Sequence, residues 1–326
     1  MLTRRDFSKS LTLTIASSAL FAGTKGAFAA DYPDKPVHIV IGFPAGSGAD
    51  ILCRYFQNAL GKLSGATFVM DNKGGATGNI ALGDVARAPK DGYTLLMTAN
   101  SNMAGSRYLF KNLPFDTLKD FTPVSSFAEI TFVMVVSPKS PINNVQDLVK
   151  HLKDKKDNIY GYTNQTALLS TALFLQMTGA PAKSVAYKTA PDAVKDVVDS
   201  TLDFMIMDGT FAAPQINQGV MKAIAVTTAQ RHASMPNVPT MQESGLAGFD
   251  FAPWWACYAP TGTPKPVIDK LNGWMQKITA MPETAEFLKT QGATAQHDGP
   301  DQCNARLKAE LPRWESLVKA AGIEPA

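Results

Sequence analysis

Lys35-Pro-Val-His-Ile-Val-Ile-Gly-Phe-Pro-Ala-Gly-Ser-Gly-Ala-Asp50 decides how the rest of the chain is read. Lys35–Phe43 is a short apolar run and predicts a buried strand, and Asp50–Leu63 carries apolar residues at 52, 55, 56, 59, 60 and 63, the spacing of one helix face. Between them Pro44–Asp50 is a turn of small residues. A strand that ends in such a turn at a helix start leaves several backbone N–H groups unpaired and pointing outward, an arrangement suited to a carboxylate or phosphate. One exposed helix dipole contributes only about 0.3–1 kcal/mol, so useful affinity needs several directed hydrogen bonds in a closed, dry cleft. Phe43, Ala45, Gly46, Ser47, Gly48, Ala49 and Asp50 are therefore candidate ligand contacts, with the Ser47 hydroxyl as an added donor. The structural alternative is that Gly46 and Gly48 permit a tight turn and Asp50 caps the helix.

Outward from this unit the same grammar repeats. Thr67–Met70 and Tyr93–Thr98 read as strands and Ile80–Ala88 as a helix, the rhythm of a parallel sheet. A second series follows, with helices over Val145–Leu152, Ala167–Thr178, Asp192–Ser200 and Pro214–Gly219 and strands over Ile159–Tyr162, Val185–Tyr187, Phe204–Met207 and Ala223–Thr227. The final part offers an aromatic strand, Phe251–Tyr258, and helices over Lys265–Ala280, Glu283–Gln291 and Asp301–Ala321, the last broken or kinked at Pro312. If these helices pack back on the first unit, the chain crosses twice, near Glu129–Ser137 and near Gly248–Trp255. Residues 30–133 with 250–326 then form one α/β domain and 134–249 a second, joined by a hinge with a ligand cleft between them.

Corresponding loops of the two domains supply further candidates, because open parallel sheets place ligands beyond the carboxyl ends of their strands. Thr163, Asn164, Gln165, Thr166 and Ala167 join a strand to a helix with neutral donors; the alternative is an ordinary helix cap. Thr77, Asn100 and Ser101 lie at other helix starts or strand ends. Asp208 suits a ligand hydroxyl or ammonium group, or simply forms the turn before Gly209. Trp254 and Trp255 are neighbours on a strand, so on a period of two one of them points away from any core.

Several chemistries find no support. Gly46-Ser-Gly48 lacks the third glycine of a dinucleotide fingerprint, and no P-loop lysine follows. No Gly-x-Ser-x-Gly elbow occurs, and His38, His151, His232 and His297 stand singly, without an obvious Ser, Cys or carboxylate partner. Cys53, Cys257 and Cys303 have no metal-ligand spacing; at most one disulfide is possible and buried thiols are the simpler reading. No metal and no cofactor is expected.

The first 29 residues differ from the rest: Arg4 and Arg5, an apolar run over Leu11–Ala22 and the small-x-small site Ala27-Phe-Ala29 predict a cleaved export signal. Thr3–Lys9 is similar to a twin-arginine signal, with Ser8 where a leucine is usual. The apolar run falls short of the roughly 20 residues of a bilayer span. Without the signal the chain keeps 27 bases and 27 acids and no basic block, so a nucleic-acid partner is not expected.

Taken in order, Tyr32-Pro-Asp-Lys-Pro-Val37, Pro44–Asp50 with Arg54, Asn72-Lys-Gly-Gly-Ala-Thr-Gly78, Asp91-Gly-Tyr-Thr-Leu95, Tyr187-Lys188, Pro236–Thr240 with Glu243-Ser-Gly245, and Ala259-Pro-Thr-Gly-Thr-Pro264 form a specific pattern. Over essentially the whole mature chain it resembles the periplasmic solute receptors of tripartite tricarboxylate transporters, often called Bug receptors. The resemblance implies a type II periplasmic-binding-protein fold of two α/β domains, whose loops at Pro44–Asp50 and Gly161–Leu168 hold a ligand carboxylate. It also implies the membrane subunits of a transporter as partners; a monomer located in the periplasm is expected. Ser47 interrupts the commoner Gly-Gly pair, Thr189 replaces the usual glycine after Tyr-Lys, and Thr163–Leu168 lacks the Ser/Gly-rich run and histidine typical of the second loop. A neutral loop leaves room for a flat or apolar ligand body between Phe43 and the tryptophans, so an aromatic carboxylate is weighed beside an aliphatic di- or tricarboxylate. The rivals are a sensory receptor built on the same fold and a hydrolase or isomerase using Asp50, Asp208 and a histidine.

Overall fold

The computed structural model of the protein describes residues 32–320 and 322–325, so the expected export signal over 1–29 lies outside the described residues. Two sheets organise the chain. The first contains β1 (Val37–Ile41), β2 (Phe68–Asn72), β3 (Thr94–Ala99), β4 (Phe121–Ile130), β10 (Trp254–Pro260) and β11 (Ala293–Ala295), in the order β11-β4-β10-β3-β1-β2. The second contains β5 (Phe132–Val136), β6 (Ile159–Tyr162), β7 (Lys183–Ala186), β8 (Phe204–Asp208) and β9 (Lys222–Val226), in the order β7-β6-β8-β5-β9. The helices are α1 (Gly48–Ser64), α2 (Asn79–Ala86), α3 (Ser106–Leu109), α4 (Val145–Asp154), α5 (Gln165–Thr178), α6 (Ala190–Val198), α7 (Gly209–Asn217), α8 (Lys265–Thr279), α9 (Pro282–Thr290) and α10 (Pro300–Ala320).

Both sheets are mixed, not purely parallel as the βαβ rhythm suggested. β1 pairs parallel with β2 and β3, and β6 parallel with β7 and β8, but β10 and β5 run antiparallel to their neighbours. The antiparallel strands are those at the crossings. β4 passes into β5 through Thr131 alone, so one run of chain serves both sheets, and β10 returns to the first sheet antiparallel to β3 and β4.

The two crossings lie side by side. Ile130 N–H donates to Pro253 O at 2.8 Å, and the Thr227 hydroxyl bonds both Phe132 O at 3.2 Å and Phe251 O at 2.8 Å. Thr131 ties the sheets together from its own backbone, donating to Gly292 O at 2.9 Å and accepting from Gly209 N–H at 2.9 Å. A Cβ built on Gly209 would stand 2.3 Å from Thr131 O, a backbone atom that cannot rotate away. Gly209→Ala is therefore expected to destabilise the protein by about 2 kcal/mol through overpacking, read as a lowered urea midpoint at unchanged m-value; an unaltered midpoint would mean the crossing yields freely.

The core corrects the expectation for the paired tryptophans. Trp254 and Trp255 do point to opposite faces, yet both are buried, because β10 is an inner strand with both faces covered. Trp255 packs on Phe43 (ring centroids 5.2 Å apart) and Phe127 (6.5 Å). Trp254 lies under the Arg306 guanidinium and donates from Nε1 to Glu310 Oε1 at 2.8 Å. Both residues thus pack the core and neither walls the cleft. α8 packs against the first sheet, and α10 runs unbroken through Pro312, touching β4 and reaching α5 beside the second sheet. All three cysteines are free and buried.

The histidines are not without partners. His38 Nδ1 meets Asp71 at 2.9 Å, His151 Nε2 meets Asp203 at 2.9 Å, His232 Nδ1 meets Ser234 at 2.8 Å and His297 Nδ1 meets Thr279 at 2.8 Å. Chain separations of 33 and 52 residues hide the two carboxylate pairs from a sequence reading.

Candidate functional site

The turn after β1 is held in shape by Asp50. Gly46 has φ +78°, a left-handed conformation in which glycine carries no Cβ penalty, and Ser47 caps α1 by accepting from Asp50 N–H at 3.2 Å. The Asp50 carboxylate in turn accepts from Gly46 N–H at 2.9 Å, Arg54 Nε at 2.9 Å and Asn72 Nδ2 at 2.9 Å. Asn72 also donates to Phe43 O at 3.1 Å, which fixes the exit of β1. Burial pushes the Asp50 carboxyl up, and the Arg54, Gly46 and Asn72 donors together bring it below the usual carboxylate range. The N–H groups of Gly48 and Ala49, at the first two positions of α1, have no acceptor among the described residues.

Opposite this turn, three parallel βα units of the second sheet end at one edge. Asn164 Oδ1 caps α5 from Ala167 N–H at 2.9 Å, the Thr189 hydroxyl caps α6 from Asp192 N–H at 3.5 Å, and Asp208 caps α7 from Thr210 N–H at 2.7 Å. The Thr210 hydroxyl also bonds Asp208 Oδ1. Burial raises the Asp208 carboxyl above its ordinary value, against the lowering effect of the Thr210 and Phe211 donors. The lobes meet here: a Cβ built on Gly48 would stand 2.0 Å from Thr210 Oγ1 and 3.2 Å from both Asp208 carboxylate oxygens.

Between these loops lies a cavity of about 230 Å³, lined by Phe43–Ala49, Thr163, Asn164, Lys188–Pro191, Met207, Asp208 and Phe211. The positive ends of α1, α5, α6 and α7 therefore converge on one space. Phe43, Pro191, Met207 and Phe211 give it an apolar wall. At ~30 Å³ per water-sized share the volume suits a ligand on the order of ten non-hydrogen atoms.

Of the residues singled out in the sequence, the cavity brings together Phe43, Ala45, Gly46, Ser47, Gly48, Ala49, Thr163, Asn164 and Asp208. Asp50 stands behind the turn as its brace. Asn100 is turned away, donating to Glu310 Oε2 at 2.7 Å, and Ser101 begins a buried π-helical turn, Ser101–Gly105. Gln165 does not face the cavity: its Nε2 crosses to the other lobe and donates to Thr77 Oγ1 at 2.9 Å and Ser106 Oγ at 3.2 Å. Thr166 and Ala167 are buried in the first turn of α5. The ligand body expected between Phe43 and the tryptophans has a different wall, since Phe43 covers Trp255.

Sequence reasoning placed Pro44 in the first loop but missed Lys188, Thr189, Ala190, Pro191, Met207 and Phe211 as lining residues. A signal was present at Tyr187–Asp192, a third strand-to-helix junction written in the same grammar as the two that were chosen. Among the described residues no group of three or more His, Cys, Asp or Glu is placed to hold a metal ion, and no helix is long and apolar enough to cross a membrane.

Comparison with known proteins bears on this arrangement. Residues 52–323 match the family described as tripartite tricarboxylate transporter family receptor. The chain is 30% identical over 322 residues to the protein BugT of Bordetella pertussis, covering 96% of this chain and 99% of BugT. The structure of R. palustris Rpa4515 with adipate superposes with a TM-score of 0.87 at 31% identity, covering 91% of this chain and all of the other (100%). That of MatC from Rhodopseudomonas palustris with bound malate superposes with a TM-score of 0.82 at 25% identity, covering 88% of this chain and 100% of MatC.

Proposed function

The chain belongs to the tripartite tricarboxylate transporter receptor family, and from that premise we propose that it is a periplasmic receptor that captures a small carboxylate between its lobes and delivers it to the membrane subunits of a transporter. The observation that carries the reading is the convergence of four helix starts, with two unpaired N–H groups at Gly48 and Ala49, on a small cavity with an apolar wall. The adipate and malate bound by its relatives are of a size and charge that such a cavity accommodates.

Residues 30–133 with 250–326 and residues 134–249 act as two bodies that turn about Thr131 and the segment 251–253 that leads into β10. In the open form the ligand carboxylate docks on the first turn of α1. Closure then brings Thr163, Asn164, Thr189 and Asp208 onto the rest of the ligand, and each contact made only in the closed form shifts the equilibrium toward it. The transporter subunits recognise that closed form. The matched family is one of transporter receptors, and the reading is accordingly capture and release without turnover.

A thermal-shift screen of the purified protein against aliphatic and aromatic mono-, di- and tricarboxylates tests this. A ligand at a hundred times its Kd adds about 2.7 kcal/mol, which for a chain of this size raises Tm by roughly 5 °C. A rise confined to one carboxylate class names the ligand class; no rise with any carboxylate refutes the reading.

A further inference from the structure

The register of the second sheet places three different side chains in a row across the cavity. Tyr162 pairs with Ala186 and Gly161 with Met205. Beyond these pairs the chains leave the sheet for their helices, and the junctions after β7, β6 and β8, neighbours in that order, carry Lys188, Asn164 and Asp208. Lys188 thus belongs to the outer strand's junction and Asp208 to the inner strand's, with Asn164 between them. All three residues line the cavity.

The two ends differ. At the Asp208 end the cavity is closed by α1, where Gly48 presses on Asp208 and Thr210. At the other end Lys188 lies on the edge-strand side, is exposed, and has no ion pair or hydrogen bond among the described residues. The next residue, Thr189, has extended backbone (φ −133°, ψ 151°) and is committed to capping α6, which fixes the stem from which Lys188 projects. Between the ends the wall is apolar, formed by Phe43, Pro191, Met207 and Phe211. A ligand lying along this row has at one end the start of α1, beside an Asp208 whose Oδ1 is engaged by the Thr210 N–H and hydroxyl, hydrocarbon contact along its body, and at the other end a cation with no partner among the described residues.

We infer that Lys188 is the specificity-determining residue of the cavity, binding the distal acidic group of an elongated ligand whose first carboxylate is held at the start of α1. The inference rests on the carboxylate-receptor reading above and adds to it the residue that distinguishes a diacid from a monoacid. A charge-assisted hydrogen bond made as the cleft closes is stronger than one between neutral groups, and the apolar wall contributes equally to either ligand.

Isothermal titration of the purified protein with adipate and hexanoate, which share a six-carbon chain and differ in the distal acid, isolates this contact. In the wild-type protein adipate is expected to bind at least about tenfold more tightly, and Lys188→Met to abolish that ratio by weakening adipate while leaving hexanoate unchanged. Lys188→Arg is expected to retain the ratio, and the unliganded Tm of both variants to match the wild type, since Lys188 is exposed and unpartnered. A ratio that survives Lys188→Met, or an equal loss of affinity for both acids, overturns the assignment and leaves the carboxylate receptor standing. If neither acid nor any other carboxylate binds the wild-type protein, the receptor reading falls, and the Lys188 assignment with it.

Discussion

Replacing Gly48 with alanine is expected to weaken ligand binding by as much as a hundredfold while leaving the unliganded Tm unchanged or slightly higher. The added methyl would lie 2.0 Å from Thr210 Oγ1 and 3.2 Å from both oxygens of Asp208. Thr210 is 1% exposed and its hydroxyl is bonded to Asp208, so it has little room to turn aside. Overpacking of this kind costs about 1–3 kcal/mol, equivalent to roughly 5- to 150-fold in affinity. The strain falls on the closed form, because Thr210 and Gly48 belong to different lobes and separate when the cleft opens. Within α1 itself alanine is at least as good a helix former as glycine, by up to about 1 kcal/mol in a helix interior. Stability and affinity are thus expected to move independently, which a general folding defect would not produce. Titration calorimetry with the best carboxylate from the screen, alongside a melting curve, reads both quantities. Thr210→Ala in the same chain should recover much of the lost affinity, and a double-mutant cycle measures that coupling. Full affinity in Gly48→Ala would show that binding does not require the lobes to meet at this point.

How much of this was legible in the sequence depends on which residues carried local information. β1 and α1 were read almost in full because their period is local; the strand was drawn two residues too long at each end, and the helix was started at Asp50 instead of Gly48. Both Ser47 and Asp50 are good capping types, and only in three dimensions does it show that Ser47 caps the helix while the Asp50 carboxylate holds Gly46 N–H. β4 and β5 were not assigned as strands, since Phe121–Val136 is buried on nearly every residue and shows no alternation. Gln165 and Thr77 were chosen as ligand contacts at helix starts, yet they bond each other across 88 residues instead of facing the cavity. Sequence spacing says where a side chain leaves the backbone and not which wall it meets. Phe211 was missed for the converse reason, being unremarkable locally, whereas Lys188 stands in the Tyr187–Asp192 junction, whose signal was passed over.

Asp50→Ala is expected to cost about 3 kcal/mol of stability and to weaken ligand binding as well. Asp50 is 4% exposed and accepts from a backbone N–H, a guanidinium and a side-chain amide, so its removal leaves donors at Gly46, Arg54 and Asn72 without their acceptor. Breaking a buried pair costs about 3–5 kcal/mol; the lower end applies because the Arg54 side chain is 43% exposed and regains water. The same carboxylate makes stability depend on pH in a defined sense. Its folded pKa lies below the unfolded value of about 3.9, so the stabilisation is complete above that value and is lost as pH falls toward and through the folded pKa. The urea midpoint of the wild-type protein should therefore drop more steeply below about pH 4 than that of Asp50→Ala. Asp50→Asn separates charge from shape: it keeps an acceptor for Gly46 N–H but loses the ion pair, and should fall between the two. The effect on binding follows from the same contacts, because the N–H groups of Gly48 and Ala49 can act together on one carboxylate only while Gly46 and Ser47 are held in their turn. An Asp50→Ala protein with wild-type affinity would mean that the ligand itself orders this turn on docking.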